Sequence, residues 1–568
     1  MTKLSAYELE REANIARNKA LLQQLELKQA VESLPSTSKV KVEKKAKPIQ
    51  PRTREKRKRE PEVEAPRRQS ARLRRGQIDP NESPRKRVKR EREEEEQRQK
   101  EEETRLAAEE ARRQSQRPRH NKLDMITLIE SGPEDTESLN KSMEAVSKSS
   151  VDRVGNFDEW VFEDSKEDER ALKDLRQRMG KLVVRARAKV TDARIYCAAY
   201  HPEVTKDLIF FGDRCGQLGI WDARAPADEE EDGDGELKAN EDHEGGKYWR
   251  IQLHWPATPK SSISCVKLDP IDAHNIFTGS YDTTVRSLSF TTSQSRELFS
   301  TENLVNCIDV SPNGNELWIS DSQGWVTHLD PREGKIKPRS YALSDNKIGS
   351  VSINPTRPHY IVTASNSRSI KVWDVRNLQA MSARTLGDDS SASDEVGTSG
   401  TIDFHTETVQ EYLQTAKGKR GFRAEFPHGK SATAAYWDPR GRQILSTSYD
   451  DTLRLWDLDQ ATLDSDDPFK KFQPFSKIKH STQTGKWVSL LKAQWTKNTN
   501  VYPFFTVGNM NHSLDIFSCK GELVQRLSDS RRITAVQAVT ASHPNIVERV
   551  ATGNGSGRCV LWAPEDLD

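Results

Sequence analysis

The sequence is poor in the features that mark secreted, membrane-spanning or metal-dependent proteins. Its 568 residues hold only six cysteines (Cys197, Cys215, Cys265, Cys307, Cys519, Cys559), none in a Cys-x-x-Cys pair. This argues against a disulfide framework or a zinc site and reads the six as reduced, small apolar residues in strands. No stretch approaches the 18 apolar residues of a membrane span, and residues 1–34 have no apolar core of a secretory leader, so a soluble intracellular protein is expected. No histidines are paired at metal-ligand spacing. Gly429-Lys430-Ser431 imitates the end of a phosphate-binding loop, but the first glycine would fall at Ala424. Gly553-Asn554-Gly555-Ser556-Gly557 imitates a dinucleotide fingerprint whose third glycine would fall at Arg558. The expectation is a protein without cofactor, metal or catalytic centre.

Charge is abundant but unevenly spread. Residues 39–90 hold 21 Lys and Arg against 7 Asp and Glu, a net of +14, whereas the whole chain is only +2. Such a segment cannot bury enough apolar surface to offset its chain entropy, so 35–90 reads as a basic arm, disordered when free. Within it Arg85, Lys86, Arg87, Lys89 and Arg90 form the densest cation cluster, with Lys56-Arg57-Lys58-Arg59 a second. The first reads as a nuclear-import signal, and a generic polyelectrolyte tail is the other reading. Arg67-Arg68-Gln69-Ser70 and Ser83-Pro84 resemble kinase sites, where phosphate would subtract charge.

Beyond residue 180 the chain repeats itself. Asp213, Ser280, Asp321, Ser365, Ser448, Asn509 and Asn554 are each followed five residues later by an apolar residue and eight later by another: Trp221, Leu288, Leu329, Trp373, Trp456, Phe517 and Trp562. A turn followed by a buried strand explains both spacings. Three repeats end in Trp-Asp, and the shortest intervals of 41, 44 and 45 residues match four-stranded propeller blades. The fold class is therefore all-β, a WD-repeat β-propeller over 181–568 with seven blades; eight is the alternative, because Trp373 and Trp456 lie 83 apart. The alternating run 181–190 is the expected closing strand of the last blade. Stretches 225–260 and 377–430 read as insertions. Asp282 and Asp450 sit in the turns of SYDTT and SYDDT and are expected to bind backbone and neighbouring polar groups.

Before the ring, residues 1–34 read as a short helix, 91–150 as a charged helix and linker, and 151–180 as a segment docked on the propeller through Phe157, Trp160, Leu172, Leu175 and Met179. One concentrated candidate for nucleic-acid contact lies in AKGKRGFRAEFPHGKS, where Lys417, Lys419, Arg420, Arg423 and Lys430 surround Phe422 and Phe426. Cations there would neutralise phosphates while an aromatic stacks on or wedges beside an unstacked base. The competing reading has Phe422 and Phe426 begin the outer strand of a blade. The acidic run 228–244 would repel a DNA backbone and marks a side away from it.

FFGDRCGQLGIWD (210–222), FTGSYDTTVRSLSF (277–290), YWDPRGRQILSTSYDDTLRLWDL (436–458) and VGNMNHSLDIF (507–517) resemble the fungal DNA damage-binding WD-repeat proteins named for a changed mutation rate, relatives of WD repeat protein 76 and of damaged-DNA-binding protein 2. NIARNKALLQQL (14–25) resembles them too. The resemblance implies a nuclear protein that binds DNA, prefers ultraviolet-damaged duplex and performs no chemistry on it, with chromatin proteins as further partners. A second expectation is an interaction scaffold or substrate receptor of a cullin-type ubiquitin ligase. There Arg224 and Arg376, in Trp-Asp-x-Arg boxes, would bind the ligase adaptor.

Overall fold

The computed structural model describes residues 121–129, 132–148, 154–226, 245–332, 337–381, 401–481 and 489–565. The expectations for the 1–34 helix, the basic arm with its import cluster and the acidic run 228–244 lie outside the described residues. Seven antiparallel sheets form the blades, six of them with their four propeller strands in sequence order from the inside out. Blade 1 spans 195–252, blade 2 263–300, blade 3 305–342, blade 4 348–427, blade 5 432–479 and blade 6 494–527. Blade 7 spans 537–563 and takes its outer strand, Val183–Lys189, from before blade 1; it pairs antiparallel with Arg558–Ala563 and closes the ring.

The repeat landmark has a physical cause. Each landmark residue ends the second strand of its blade or, as Asn509, directly follows it, and its side chain accepts hydrogen bonds from the turn that follows. Asp213 Oδ1 takes the N–H groups of Cys215 (2.7 Å) and Gln217 (2.8 Å), and Asn554 Oδ1 those of Ser556 (2.9 Å) and Arg558 (3.2 Å). Three residues after every landmark the backbone is left-handed: Gly216, Thr283, Gly324, Arg368, Asp451, His512 and Gly557 have φ between 58° and 89°. At Gly557 only glycine fits, because a Cβ would lie 2.0 Å from the Thr191 carbonyl oxygen, in the loop that leads from the outer strand of blade 7 into blade 1. The apolar residue eight positions on packs inside the blade, and Trp221, Trp456 and Trp562 are almost wholly buried.

The two stretches read as insertions each contain an outer strand. Lys247–Gln252 completes blade 1 and Phe422–Pro427 completes blade 4. The second stretch also supplies a strand, Ile402–Phe404, that adds in parallel to the edge of blade 3, and a helix, Thr406–Gln414. Outer strands are half-exposed, so their alternation is weak, and intervening residues separate them from the landmarks.

The N-terminal segment straps one face. Lys122–Asp124 adds a fifth strand to blade 2, and the helix Pro133–Glu144 buries Leu139 and Met143 in a cluster with Met125, Leu128 and strands of blades 1 and 2. Residues 121–129 and 132–148 are thus packed on the propeller, unlike the linker read there. Further on, the helix Ser165–Met179 is capped by Asp164, which accepts the Lys166 N–H at 2.9 Å. It buries Leu172, Leu175 and Met179, one face at helical spacing, against blades 6 and 7. Trp160 donates its indole N–H to the Thr499 carbonyl at 3.0 Å, and Phe157 lies under Arg357 and Arg442. All six cysteines are free thiols; Cys215 and Cys519 sit in turns rather than strands.

Candidate nucleic-acid interface

Antiparallel pairing fixes which loops share a face. In blade 1 Ile195 pairs with Asp213 and Gln217 with Gln252, so the start of the first strand, the second turn and the end of the outer strand lie at one end. In every blade, the loop leading into the first strand and the turn between the second and third strands therefore open on one face, here the entry face. The other loops open on the opposite face. The first strands of consecutive blades contact one another and enclose a central channel.

The predicted cation cluster does not survive as one site. Blade 4 pairs Trp373 with Phe422 and Ser369 with Pro427, so Lys417, Lys419 and Arg420 precede the outer strand at the opposite face, whereas Lys430 follows it at the entry face. Six residues of strand put about 20 Å between them. Arg423 is excluded as a phosphate contact, because it is 1% exposed and its guanidinium is committed inside the protein. It donates to the carbonyl oxygens of Asp466 (2.7 Å) and Ser465 and lies between the rings of Tyr360 and Phe469. Phe422 is the first residue of the outer strand, half-buried and edge-on to Trp373 at 5.3 Å between centroids. Its place in the sheet explains it without a base. Lys417, Lys419 and Arg420 are exposed, but Arg420 pairs with Asp466 at 3.0 Å.

The two boxed arginines are likewise occupied. Arg224 meets the buried Asp207 at 2.8 Å, a carboxylate shared with Arg549 (3.3 Å), and Arg376 turns back on Asp374 at 2.6 Å. The two turn aspartates act locally. Asp282 contacts His254 at 2.8 Å and accepts from Thr284, while Asp450 pairs with Arg454 at 2.9 Å and accepts the Gly429 N–H at 3.2 Å. Burial raises the Asp213 carboxyl to about 6 despite the backbone N–H groups it accepts, which suits a turn anchor.

Comparison of the two faces reveals what the sequence cluster concealed. On the entry face Arg214, Lys260, Arg368, Lys430 and Arg531 are exposed, and their side chains make no ion pair among the described residues. The exposed acids of the same loops are Asp192, which pairs with Arg250 at 2.9 Å, together with Glu302 and Asp345. On the opposite face cations are matched: besides Arg224, Arg376 and Arg420, Arg357 pairs with Asp464 (2.9 Å) and Arg442 with Asp457 (2.6 Å). Lys417, Lys419, Lys470 and Lys471 remain at its rim, beside Asp464, Asp466 and Asp467. That face also carries the strap. Gly155 donates to the Pro439 carbonyl at 3.0 Å, and Val154 lines a cavity of about 150 Å³ at the channel mouth there. Among the described residues the entry face is the open one, with cations spread around a ring.

A family model described as "WD domain, G-beta repeat" matches residues 339–374 and 422–457. Each match joins the outer strand of one blade to the three inner strands of the next. Among curated proteins, the chain is 37% identical over 494 residues, 80% of its length and 82% of the relative's, to DNA damage-binding protein CMR1 of Cryptococcus neoformans var. neoformans. It is 28% identical over the full length of both chains to the protein of that name from Mycosarcoma maydis. The Neurospora crassa protein of the same name is 31% identical over 69% of this chain and 70% of its own. With its seven-bladed ring and these relatives, the chain belongs to the fungal WD-repeat family whose members are named DNA damage-binding protein CMR1.

Proposed function

We propose that the protein binds duplex DNA through the entry face, prefers ultraviolet-damaged duplex and performs no chemistry on it. The observation that carries the reading is the set of cations Arg214, Lys260, Arg368, Lys430 and Arg531, which make no ion pair among the described residues and are contributed by turns of blades 1 and 4 and by loops between blades, on the face that the strap leaves open. Cations without protein partners are free to displace counterions from phosphates, the contribution that dominates nonspecific affinity. A rigid ring of such cations positions DNA without reading sequence. A lesion weakens stacking and lowers the cost of bending or opening the helix, so a fixed surface selects deformable duplexes. The relatives' name, DNA damage-binding protein, supports the substrate class. The cation cluster of Arg85 to Arg90 supports action in the nucleus.

The test is a titration of the full-length protein with intact and ultraviolet-irradiated duplexes of one sequence at two salt concentrations. Affinity for both is expected to fall steeply with salt, while the irradiated-to-intact ratio stays above one at each concentration. Equal affinities at both salts would remove damage preference from the reading, and salt-insensitive binding would remove the phosphate contacts.

A further inference from the structure

The first strands of blades 1, 2 and 3 carry a cysteine at the same place, directly after the break in register with the second strand: Cys197, Cys265 and Cys307. Ser350 and Ala434 hold that place in blades 4 and 5, so packing asks for a small side chain there and not for sulfur. Each thiol reaches forward to the first strand of the next blade. Cys197 donates to the Ile263 carbonyl at 3.4 Å, Cys265 to the Ile308 carbonyl at 3.5 Å, and Cys307 lies 3.8 Å from the Val351 carbonyl.

Blades 2 and 3 meet tightly at this level. Ser264, beside Cys265, donates its hydroxyl to the Val305 carbonyl at 2.7 Å. Gly279, the cross-strand partner of Cys265, leaves no room for a Cβ, which would lie 2.8 Å from the Val305 side chain. Cys307 falls between Val305 and Ile308, and its sulfur is 3.6 Å from the same Ile308 oxygen that accepts from Cys265. The two sulfurs, gathered on one oxygen, are within hydrogen-bonding reach of each other. Cys197 shares no acceptor with another thiol among the described residues, and burial pushes it up to about 12. Cys265 and Cys307 both line a cavity of about 130 Å³ in the channel, beside Lys267 and Lys492. It has room for hydrogen peroxide, which is roughly the size of two waters. The hydrogen bond from Cys307 and then the Lys267 ammonium hold the Cys265 thiol below its ordinary range against its burial, although Asp309, 2.9 Å from Lys267, offsets part of the second effect.

We propose that Cys265 and Cys307 are a redox-active pair, which a peroxide converts into a disulfide joining the first strands of blades 2 and 3. Cys265, as its thiolate, attacks one peroxide oxygen and becomes a sulfenic acid; the O–O bond breaks, and the hydroxide released takes up the proton that Cys265 gave up and leaves as water. The Cys307 sulfur then attacks the Cys265 sulfur, the S–S bond forms, and the displaced hydroxide leaves with the Cys307 proton as a second water. Two thiols have lost two electrons and the peroxide has gained them. A dithiol reductant reverses the step. The bond closes a loop through the 41 intervening residues, so the oxidised protein is expected to melt higher, by up to about 5 °C for a ring of this size. The inference does not rest on DNA binding by the entry face.

The experiment treats the reduced full-length protein with a small excess of hydrogen peroxide, blocks the remaining thiols with N-ethylmaleimide and maps tryptic peptides by mass spectrometry without reductant. Wild type, Cys197→Ser, Cys265→Ser and Cys307→Ser are compared. In wild type and Cys197→Ser, peptide 261–267 is expected to be joined to peptide 297–332, lighter by two hydrogens than the separate pair, and dithiothreitol should part them. The link should be absent from the other two variants. Its yield in wild type should fall roughly tenfold or more when peroxide is added to protein unfolded in guanidinium, where chain entropy opposes the encounter of the two sulfurs. The thermal midpoint should rise on oxidation in wild type and Cys197→Ser only. No link in folded wild type, equal yields from folded and unfolded protein, or a link from either cysteine to Cys197 in its place would overturn the inference, and so would an equal rise of the midpoint in Cys265→Ser.

Discussion

Replacing Arg423 by Ala separates a structural arginine from a DNA contact. Its guanidinium is buried, donates to the Ser465 and Asp466 carbonyls and packs between Tyr360 and Phe469. Hydrogen bonds from a charged donor contribute about 1.5 to 3 kcal/mol each. The carbonyls belong to a loop that water partly reaches, so the lower figure applies to both. The emptied slot between the two rings adds a cavity cost, which brings the expected loss to about 3 to 5 kcal/mol. For roughly 390 residues the unfolding entropy is about 0.8 kcal/mol per K, so the thermal midpoint is expected to fall by about 4 to 6 °C. Differential scanning fluorimetry measures the midpoint, and fluorescence anisotropy measures DNA affinity below the new midpoint. The expected result is a destabilised protein with unchanged affinity. An unshifted midpoint with weakened DNA binding would refute the burial argument and restore Arg423 to the interface.

Gly557→Ala places a Cβ 2.0 Å from the Thr191 carbonyl at a φ of 84° and is expected to cost about 2 to 5 kcal/mol, whereas Gly555→Ala, with its nearest neighbour 3.5 Å away, should leave the midpoint within a degree. Stability should also fall below about pH 6.5. Burial holds His543, His428 and His328 at about 4 in the folded protein, so the unfolded chain takes up their protons first. Each such histidine removes about 1.4 kcal/mol per pH unit between 6.5 and 4; His543→Gln should flatten the pH profile of the midpoint, and an unchanged profile would remove His543 from the linkage. Deleting residues 39–90 should reduce the salt dependence of DNA binding while leaving any irradiated-to-intact ratio intact, and an unchanged slope would reject the basic arm as a DNA contact. Changing Lys86, Arg87, Lys89 and Arg90 to Ala should move a fluorescent fusion toward the cytoplasm, and persistent nuclear fluorescence would place the signal elsewhere, with Lys56 to Arg59 next.

The repeat was legible because one local device recurs in it: a side-chain oxygen that organises the turn, a left-handed residue three positions on and a buried residue at position eight. Each is enforced within a dozen residues, so spacing alone exposes it. Outer strands are defined instead by pairing with an element far away. Phe422–Pro427 is joined to Ser369–Asp374 across 47 intervening residues, and its half-buried faces leave little alternation. The strand Lys122–Asp124 is only three residues long and takes its register from blade 2. The candidate site failed for a related reason. Cations crowded in sequence between Lys417 and Lys430 are parted by a strand, while Arg214, Lys260, Arg368 and Arg531, scattered over more than 300 residues, open on one face. Position within the repeat carries that signal: Arg214 and Arg368 occupy the same turn, one and three residues after Asp213 and Ser365.

The most direct test of the central claim compares the two faces in one assay. One full-length variant carries Gln at Arg214, Lys260, Arg368, Lys430 and Arg531, and a second carries Gln at Lys417, Lys419, Arg420, Lys470 and Lys471, so each has five fewer positive charges. The slope of log affinity against log salt is measured for both on irradiated duplex. If the entry face holds the phosphates, the first variant's slope shrinks by about 0.9 for each phosphate no longer neutralised, up to roughly 4 to 5 in all, while the second keeps the wild-type slope. An equal decrease in the two variants, or a decrease confined to the second, would contradict the account.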